Sequence, residues 1–298
     1  MSPRVSPWIS EHGARPAASP QVAEPRLIGR ILIDLGKLRP EEAEEAFALH
    51  RRKGIRFGEA ALRLRFITPT DLEQALAIQF GYPRLQAGES LLAPELILAY
   101  EPESPPAETV RDLRSQLLTR WFNGAEQFLV IASAQPGDGR SYVAANLAVA
   151  FAQWQGRTLL IDADLRTPRQ HRMFGLPDEA GLSTILNRRA GPEVIRPILA
   201  IGNLSLLPAG PIPPNPQELL GRPAFARLCH ELAEEYEFIL LDSPAALRGS
   251  DAQLISARAG GALLVARENY TRLAEIDEVA RRISGHGAKV VGTVLNRH

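Results

Sequence analysis

The residues best placed to do chemistry begin at position 134. An apolar, β-prone run, FLVIAS (128–133), leads into Ala134-Gln-Pro-Gly-Asp-Gly-Arg-Ser141, and a helical run follows. Such a segment can cradle phosphate: its glycines let backbone N–H groups curl round the oxygens, and the N-terminus of the next helix adds a favourable dipole. The candidate contacts are Ala134, Gln135, Pro136, Gly137, Asp138, Gly139, Arg140, Ser141 and Tyr142. Ser141 is spaced to reach a magnesium ion. Arg140 stands where such loops usually carry lysine, and its guanidinium is wider, planar and bidentate. One alternative is a glycine-rich turn with no ligand, which the strand–loop–helix context disfavours. The other is a dinucleotide fingerprint built on Gly137, Gly139 and Asp162, but it would put bulky Tyr142 where a third glycine must pack closely.

Three carboxylates follow. The run TLLIDAD (158–164) carries Asp162 and Asp164 at its carboxyl end, where strand alternation sets both on one side. The run FILLDS (238–243) brings Asp242 to the same edge. One Asp at a strand end is often a turn residue or a helix cap. Three of them downstream of a phosphate loop can bind a metal and orient an attacking hydroxyl.

The elements that must position these groups are apolar runs alternating with helical ones. The other strand candidates are LSLLPA (204–209), GALLVARE (261–268) and KVVGTVLN (289–296). Helices are expected over 109–122, 142–154, 224–236 and 273–284. Strands apolar on both faces and joined by helices predict an α/β, doubly wound, mainly parallel sheet over 108–298. Its carboxyl edge is the ligand crevice.

Upstream, residues 26–86 hold a degenerate repeat at an offset of 29 residues, with Leu27–His50 matching Arg56–Gln79. Each copy reads as a short helix, a turn and a second helix opened by Pro40 or Pro69. Thr68 is a plausible N-cap. Residues 1–25, with five prolines, read as a disordered leader, and residues 87–107, with EPESPPA, read as a linker.

Composition narrows the function classes. The 298 residues carry 34 Lys+Arg and 34 Asp+Glu, so a chain-wide basic field for nucleic acid is excluded. No apolar run approaches a spanning helix and the N-terminus has no hydrophobic signal core, so a cytoplasmic location is expected. With Cys229 alone, there is no intrachain disulfide and no Cys-rich zinc site, and the six histidines fall outside metal-ligand spacing.

Taken in order, GDGRS, LLIDADLRTPR, LPAGPIPPNPQELLGRPAF and ILLDSPAA resemble the bacterial tyrosine autokinases of polysaccharide export, nearest the stand-alone EpsG type. The resemblance covers about residues 108–298. It implies a P-loop NTPase sheet of ParA/MinD-like type, ATP and Mg²⁺ as cofactors, and a cytoplasmic autokinase controlling exopolysaccharide chain length. That enzyme would be peripheral to the inner membrane through a separate membrane chain-length-determinant protein. By the same resemblance, Asp162 orients or deprotonates the acceptor hydroxyl, and Arg140 supports transfer. Ser141, Asp164 and Asp242 serve Mg²⁺, and Asn296 and Arg267 border the nucleotide. Glu108, Arg111 and Arg114 resemble the family's oligomerisation motif, and a plain intrahelical ion-pair ladder is the alternative. The sequence given departs from the family at Arg140 and ends in VLNRH without a tyrosine cluster. A second function therefore stays open, a nucleotide-dependent switch with little phosphotransfer. A partition-type ATPase is a third, which the PPNPQELLG segment disfavours.

The repeat at 26–86 resembles the MshE-type N-terminal domain of secretion and pilus ATPases, which binds cyclic di-GMP in one form. Arg56, Gly58 and Gln79 keep that pattern, while the first copy has lost its Arg and Gln. Ten Lys/Arg against six Asp/Glu over 26–65 suit an anion, but the half-lost pattern favours protein docking.

Overall fold

A computed structural model describes residues 28–79, 85, 90–154 and 156–297. The expected leader at 1–25 and the side chain of Gln79 lie outside the described residues. The chain divides into two compact units, Met1–Ala75 and Leu76–His298.

In the first unit, α1 (Ile28–Asp34), α2 (Pro40–Lys53), α3 (Phe57–Arg63) and the start of α4 (Pro69–Gln79) repeat a two-helix motif. Pro40 and Pro69 each open a helix, where the missing N–H is not needed. Thr68 caps α4: its hydroxyl accepts from the Asp71 N–H at 3.2 Å, and the Asp71 carboxylate accepts from the Thr68 N–H at 2.9 Å. Gly58 is buried, and a Cβ there would lie 2.5 Å from a methyl of Leu72, so a larger residue would require the Leu72 side chain to shift.

The second unit is built on a seven-stranded sheet. It begins with α5 (Ile97–Tyr100) and α6 (Pro105–Arg120). Next come β1 (Phe128–Ser133), α7 (Arg140–Gln153), β2 (Thr158–Asp162), α8 (Gln170–Met173) and α9 (Leu182–Leu186). The chain continues through β3 (Arg196–Pro197), β4 (Leu204–Leu207), α10 (Pro216–Gly221), α11 (Pro223–Glu235) and β5 (Phe238–Asp242), and closes with α12 (Asp251–Ala259), β6 (Gly261–Arg267), α13 (Leu273–Gly285) and β7 (Lys289–Asn296). The strand order is β3-β4-β2-β5-β1-β6-β7, and every neighbouring pair is parallel except β3–β4.

Alternate residues of one strand feed two cores. Val130, Leu159, Ile161, Ile239 and Leu241 join the core under α9 to α13, whereas Leu129, Ile131, Leu160 and Leu240 join the core under α5 to α7. Both faces are covered, as the continuous apolar runs require.

Two expectations are corrected. Residues 87–107 are no plain linker: Leu92, Leu96, Leu98, Ala99 and Ala107 are buried in the second core. Ser104 caps α6, with Pro105 and Pro106 in its first turn, so the prolines start a helix instead of spacing two domains. In addition, β2 ends at Asp162, which leaves Asp164 in the following loop. Strand alternation therefore does not place Asp164.

Candidate nucleotide-binding active site

The loop between β1 and α7 is shaped by Gly137 (φ +87°) and Gly139 (φ +93°), both in the left-handed region that side chains disfavour. A Cβ on Gly139 would sit 1.9 Å from Asn296 Nδ2, because Asn296 packs on the loop and donates to the Asp138 carbonyl at 3.1 Å. Asp138 is buried and turned into the protein. Its carboxylate accepts from the Gln135 N–H at 2.8 Å and from the Thr271 hydroxyl at 2.6 Å. Gln135 reaches Glu275 at 2.9 Å. Arg267 touches the Gly137 carbonyl at 3.5 Å and lies over the Tyr270 ring. Asn296 and Arg267 thus both contact the loop, one at the end of β7 and the other at the end of β6. Tyr142 is half-buried, which raises its phenol pKa.

Arg140 opens α7 and points inward. Its Nε donates to Asp242 at 3.2 Å, one Nη to Asp164 at 3.1 Å, and the other to the Ser133 hydroxyl at 2.8 Å. The fork spans both carboxylates at once, which the point charge of a lysine would not do. Ser141, also buried, has its hydroxyl close enough to Asp242 to favour the ionised carboxylate.

Asp162 and Asp242 are partners in the β2–β5 ladder, and both are fully buried. Asp162 accepts three backbone N–H bonds, from Asp164 at 3.2 Å, Arg169 at 3.1 Å and Gln170 at 2.9 Å. Burial first, then the charge of Asp242, holds its pKa well above the usual carboxylate range. Burial also raises Asp242, against the opposing pull of Arg140. Asp164 is fixed by its own loop, with bonds from the N–H groups of Arg166 (3.1 Å) and Thr167 (2.9 Å) and from the Thr167 hydroxyl (3.0 Å).

The expectation of three carboxylates around a metal is narrowed. Among the described residues, no group of three His, Cys, Asp or Glu side chains is gathered to hold one ion. The backbone N–H groups of Asp164, Arg169 and Gln170 occupy the Asp162 carboxylate, which leaves Asp164, Asp242 and Ser141 as the hard oxygen donors a magnesium ion prefers. The phosphate end fits too, since the first N–H groups of α7 have no intrahelical partner. Arg140 now holds the two carboxylates, so a cation on both requires its release.

The interface expectation is corrected at Arg114. Six residues along a helix fall about 120° short of two whole turns. Arg114 therefore faces α7, buried, donating to the Ala150 carbonyl at 3.0 Å with its guanidinium 4.9 Å from the Trp154 ring centre. Arg111 pairs with Glu108 at 2.6 Å and donates to the Pro102 carbonyl.

Sequence reasoning missed Ser133, Thr167, Gln170 and Thr271. None belongs to a spaced pattern: Ser133 ends β1, Gln170 opens α8, and Thr167 and Thr271 lie in loops, so each is recruited only where these elements meet.

Comparisons with known proteins agree with this fold. Residues 124–218 match the family model described as ParA, NUBPL iron-transfer P-loop NTPase. The chain is 34% identical over 201 residues to the tyrosine-protein kinase YwqD of Bacillus subtilis (strain 168), covering 67% of this chain and 85% of that protein. The kinase domain of the Escherichia coli tyrosine kinase ETK superposes with a TM-score of 0.67 at 32% identity, over 72% of this chain and 83% of that one. The chimerical protein CapA2B2 gives a TM-score of 0.66 at 38% identity, over 76% of this chain and 99% of that one.

Proposed function

Because the chain belongs to the family of bacterial tyrosine-protein kinases, we propose that it is an ATP- and Mg²⁺-dependent tyrosine autokinase regulating exopolysaccharide chain length and export. One observation carries the nucleotide chemistry: the Arg140 ion pairs that join the phosphate loop to Asp164 and Asp242 in a single buried network. The polysaccharide part of the reading rests on the resemblance of the sequence motifs.

Bound Mg·ATP supplies a transferable phosphoryl group with partly neutralised charge. The α7 N–H groups would bind the phosphates, and Ser141, Asp164 and Asp242 would hold the cation. Arg140, once released from the carboxylates, would counter the charge of the phosphates. Asp162 would orient the acceptor phenol and, in its ionised form, take its proton as the phenol oxygen receives the phosphoryl group and ADP leaves. A cavity of about 680 Å³, lined by Thr167 with Arg166, Arg169 and Arg172, offers the acceptor an approach beside Asp164.

A switch with little phosphotransfer is the second reading. It is favoured by the same Arg140 contacts, which a bound cation would have to displace. Purified protein incubated with Mg·ATP distinguishes the two. Phosphotyrosine that is present in wild type and lost in Asp162→Asn supports the kinase. Tight ATP binding without any phosphotyrosine supports the switch.

The remaining proposals concern partners. Self-association through the α6 surface at Glu108 and Arg111 fits an autokinase acting on a second copy. Among the described residues no helix is long and apolar enough to cross a membrane, so contact with the inner membrane is assigned to a chain-length-determinant protein. The MshE-type unit is read as a docking module with weak affinity for cyclic di-GMP.

A further inference from the structure

We infer that Gln170, at the start of α8, is a positioning residue that orients Asp242 against the first turn of α7 and so sets how tightly the site holds its divalent cation. The inference rests on the nucleotide-binding reading above.

Gln170 is fully buried. Its carboxamide Nε2 donates to Asp242 Oδ2 at 2.7 Å and to the Ser141 carbonyl at 3.0 Å. Its backbone N–H donates to Asp162 Oδ2 at 2.9 Å. One residue therefore touches the ends of β2 and β5 and the residue expected to bind the metal from α7. The amide orientation follows from its surroundings, because the two atoms facing Nε2 are both acceptors.

Gln170 Oε1 is buried with no hydrogen-bond partner among the described residues. A residue that only filled space would be apolar and would avoid that uncompensated acceptor. Here the burden is carried in order to keep two donors in place. Asp242 is consequently gripped from both sides, by Arg140 on Oδ1 and by Gln170 on Oδ2. Once Arg140 is released, Gln170 still keeps the Asp242 carboxylate facing Ser141.

The test is calorimetric titration of the full chain with ADP, with and without Mg²⁺, for wild type, Gln170→Met and Gln170→Asn. Methionine keeps the length without donors, and asparagine keeps the donors on a shorter arm. Gln170→Met should leave Mg²⁺-free ADP affinity close to wild type and cut the Mg²⁺-dependent gain about 10- to 100-fold, as removal of an outer partner of a metal ligand does. Gln170→Asn should fall between. Adding Gln170→Met to Asp242→Asn should cost little more than Asp242→Asn alone, since both act through one carboxylate. An undiminished Mg²⁺ gain in Gln170→Met, or losses that multiply in the double variant, overturns the inference. If Gln170→Met does not fold, an undiminished gain in Gln170→Asn overturns it equally. A wild type that binds no nucleotide overturns the nucleotide reading and this inference together.

Discussion

Asp162 and Asp242 are cross-strand partners at the ends of two adjacent parallel strands, and neither carboxyl is exposed to solvent. Both have pKa values raised by burial. Between the ordinary carboxylate value and the raised one, the folded chain binds more protons than the unfolded chain, so stability falls as pH rises. Exposed carboxyls with lowered values, such as Glu42, Glu193 and Glu278, act oppositely, but only near and below their ordinary pKa of 4.5. Unfolding free energy from denaturant titration should therefore decrease as pH rises above the ordinary carboxylate range. Asp162→Ala should flatten that slope even though it lowers stability overall. A wild-type slope of zero or of opposite sign contradicts the burial argument.

Arg140→Lys tests whether the site has adapted to arginine. Lysine cannot span Ser133, Asp164 and Asp242 together, so the two carboxylates become easier for a metal to reach. Mg²⁺ alone should then raise the melting temperature of Arg140→Lys more than that of wild type. Turnover should stay level or fall, because misplacing a charge by about an ångström can cost around a hundredfold. ATPase and autophosphorylation rates that rise in the lysine variant would show the arginine site to be a decayed one.

The α6 motif separates on substitution. Arg114→Glu places a carboxylate against the Ala150 carbonyl in a buried setting, at an expected cost of about 3–5 kcal/mol. Glu108→Arg changes only the exposed end, so it should preserve the melting temperature while weakening self-association in analytical ultracentrifugation with ATP. Unchanged sedimentation of Glu108→Arg reduces the motif to a surface ladder.

For the N-terminal unit, cyclic di-GMP binding should be weaker than about 1 μM, that is, less favourable than −8.2 kcal/mol. Isothermal titration checks this. Submicromolar binding abolished by Arg56→Ala would contradict the docking reading.

The sheet and the phosphate loop were legible because their signals are local. Continuous apolar runs mark buried parallel strands, and Gly137 and Gly139 fall where only glycine adopts the turn. Asp162 and Asp242 were legible as the last polar residues of such runs. Gln170 was not, because a single glutamine opening a one-turn helix has no periodicity, and its importance comes from three elements meeting round it. The packing of Leu96 and Leu98 was masked by the prolines that follow them, which read as a spacer when the helix they begin is not visible. Arg114 was assigned through its place in a motif, and sequence does not reveal that α7 packs over it.

The bonds that tie the phosphate loop to Thr271, Glu275, Arg267 and Asn296 bear on the rate of ligand capture. A loop already braced on β6, β7 and α13 has little freedom left to lose, so the ordering entropy that weakens many binding sites is spent during folding. Nucleotide encounter should then be limited by diffusion and charge steering, with no slow closure of the loop. The one discrete rearrangement left is the side-chain swing of Arg140. A two-step binding trace in stopped flow would report that swing, and its slower phase would be the clock of the site.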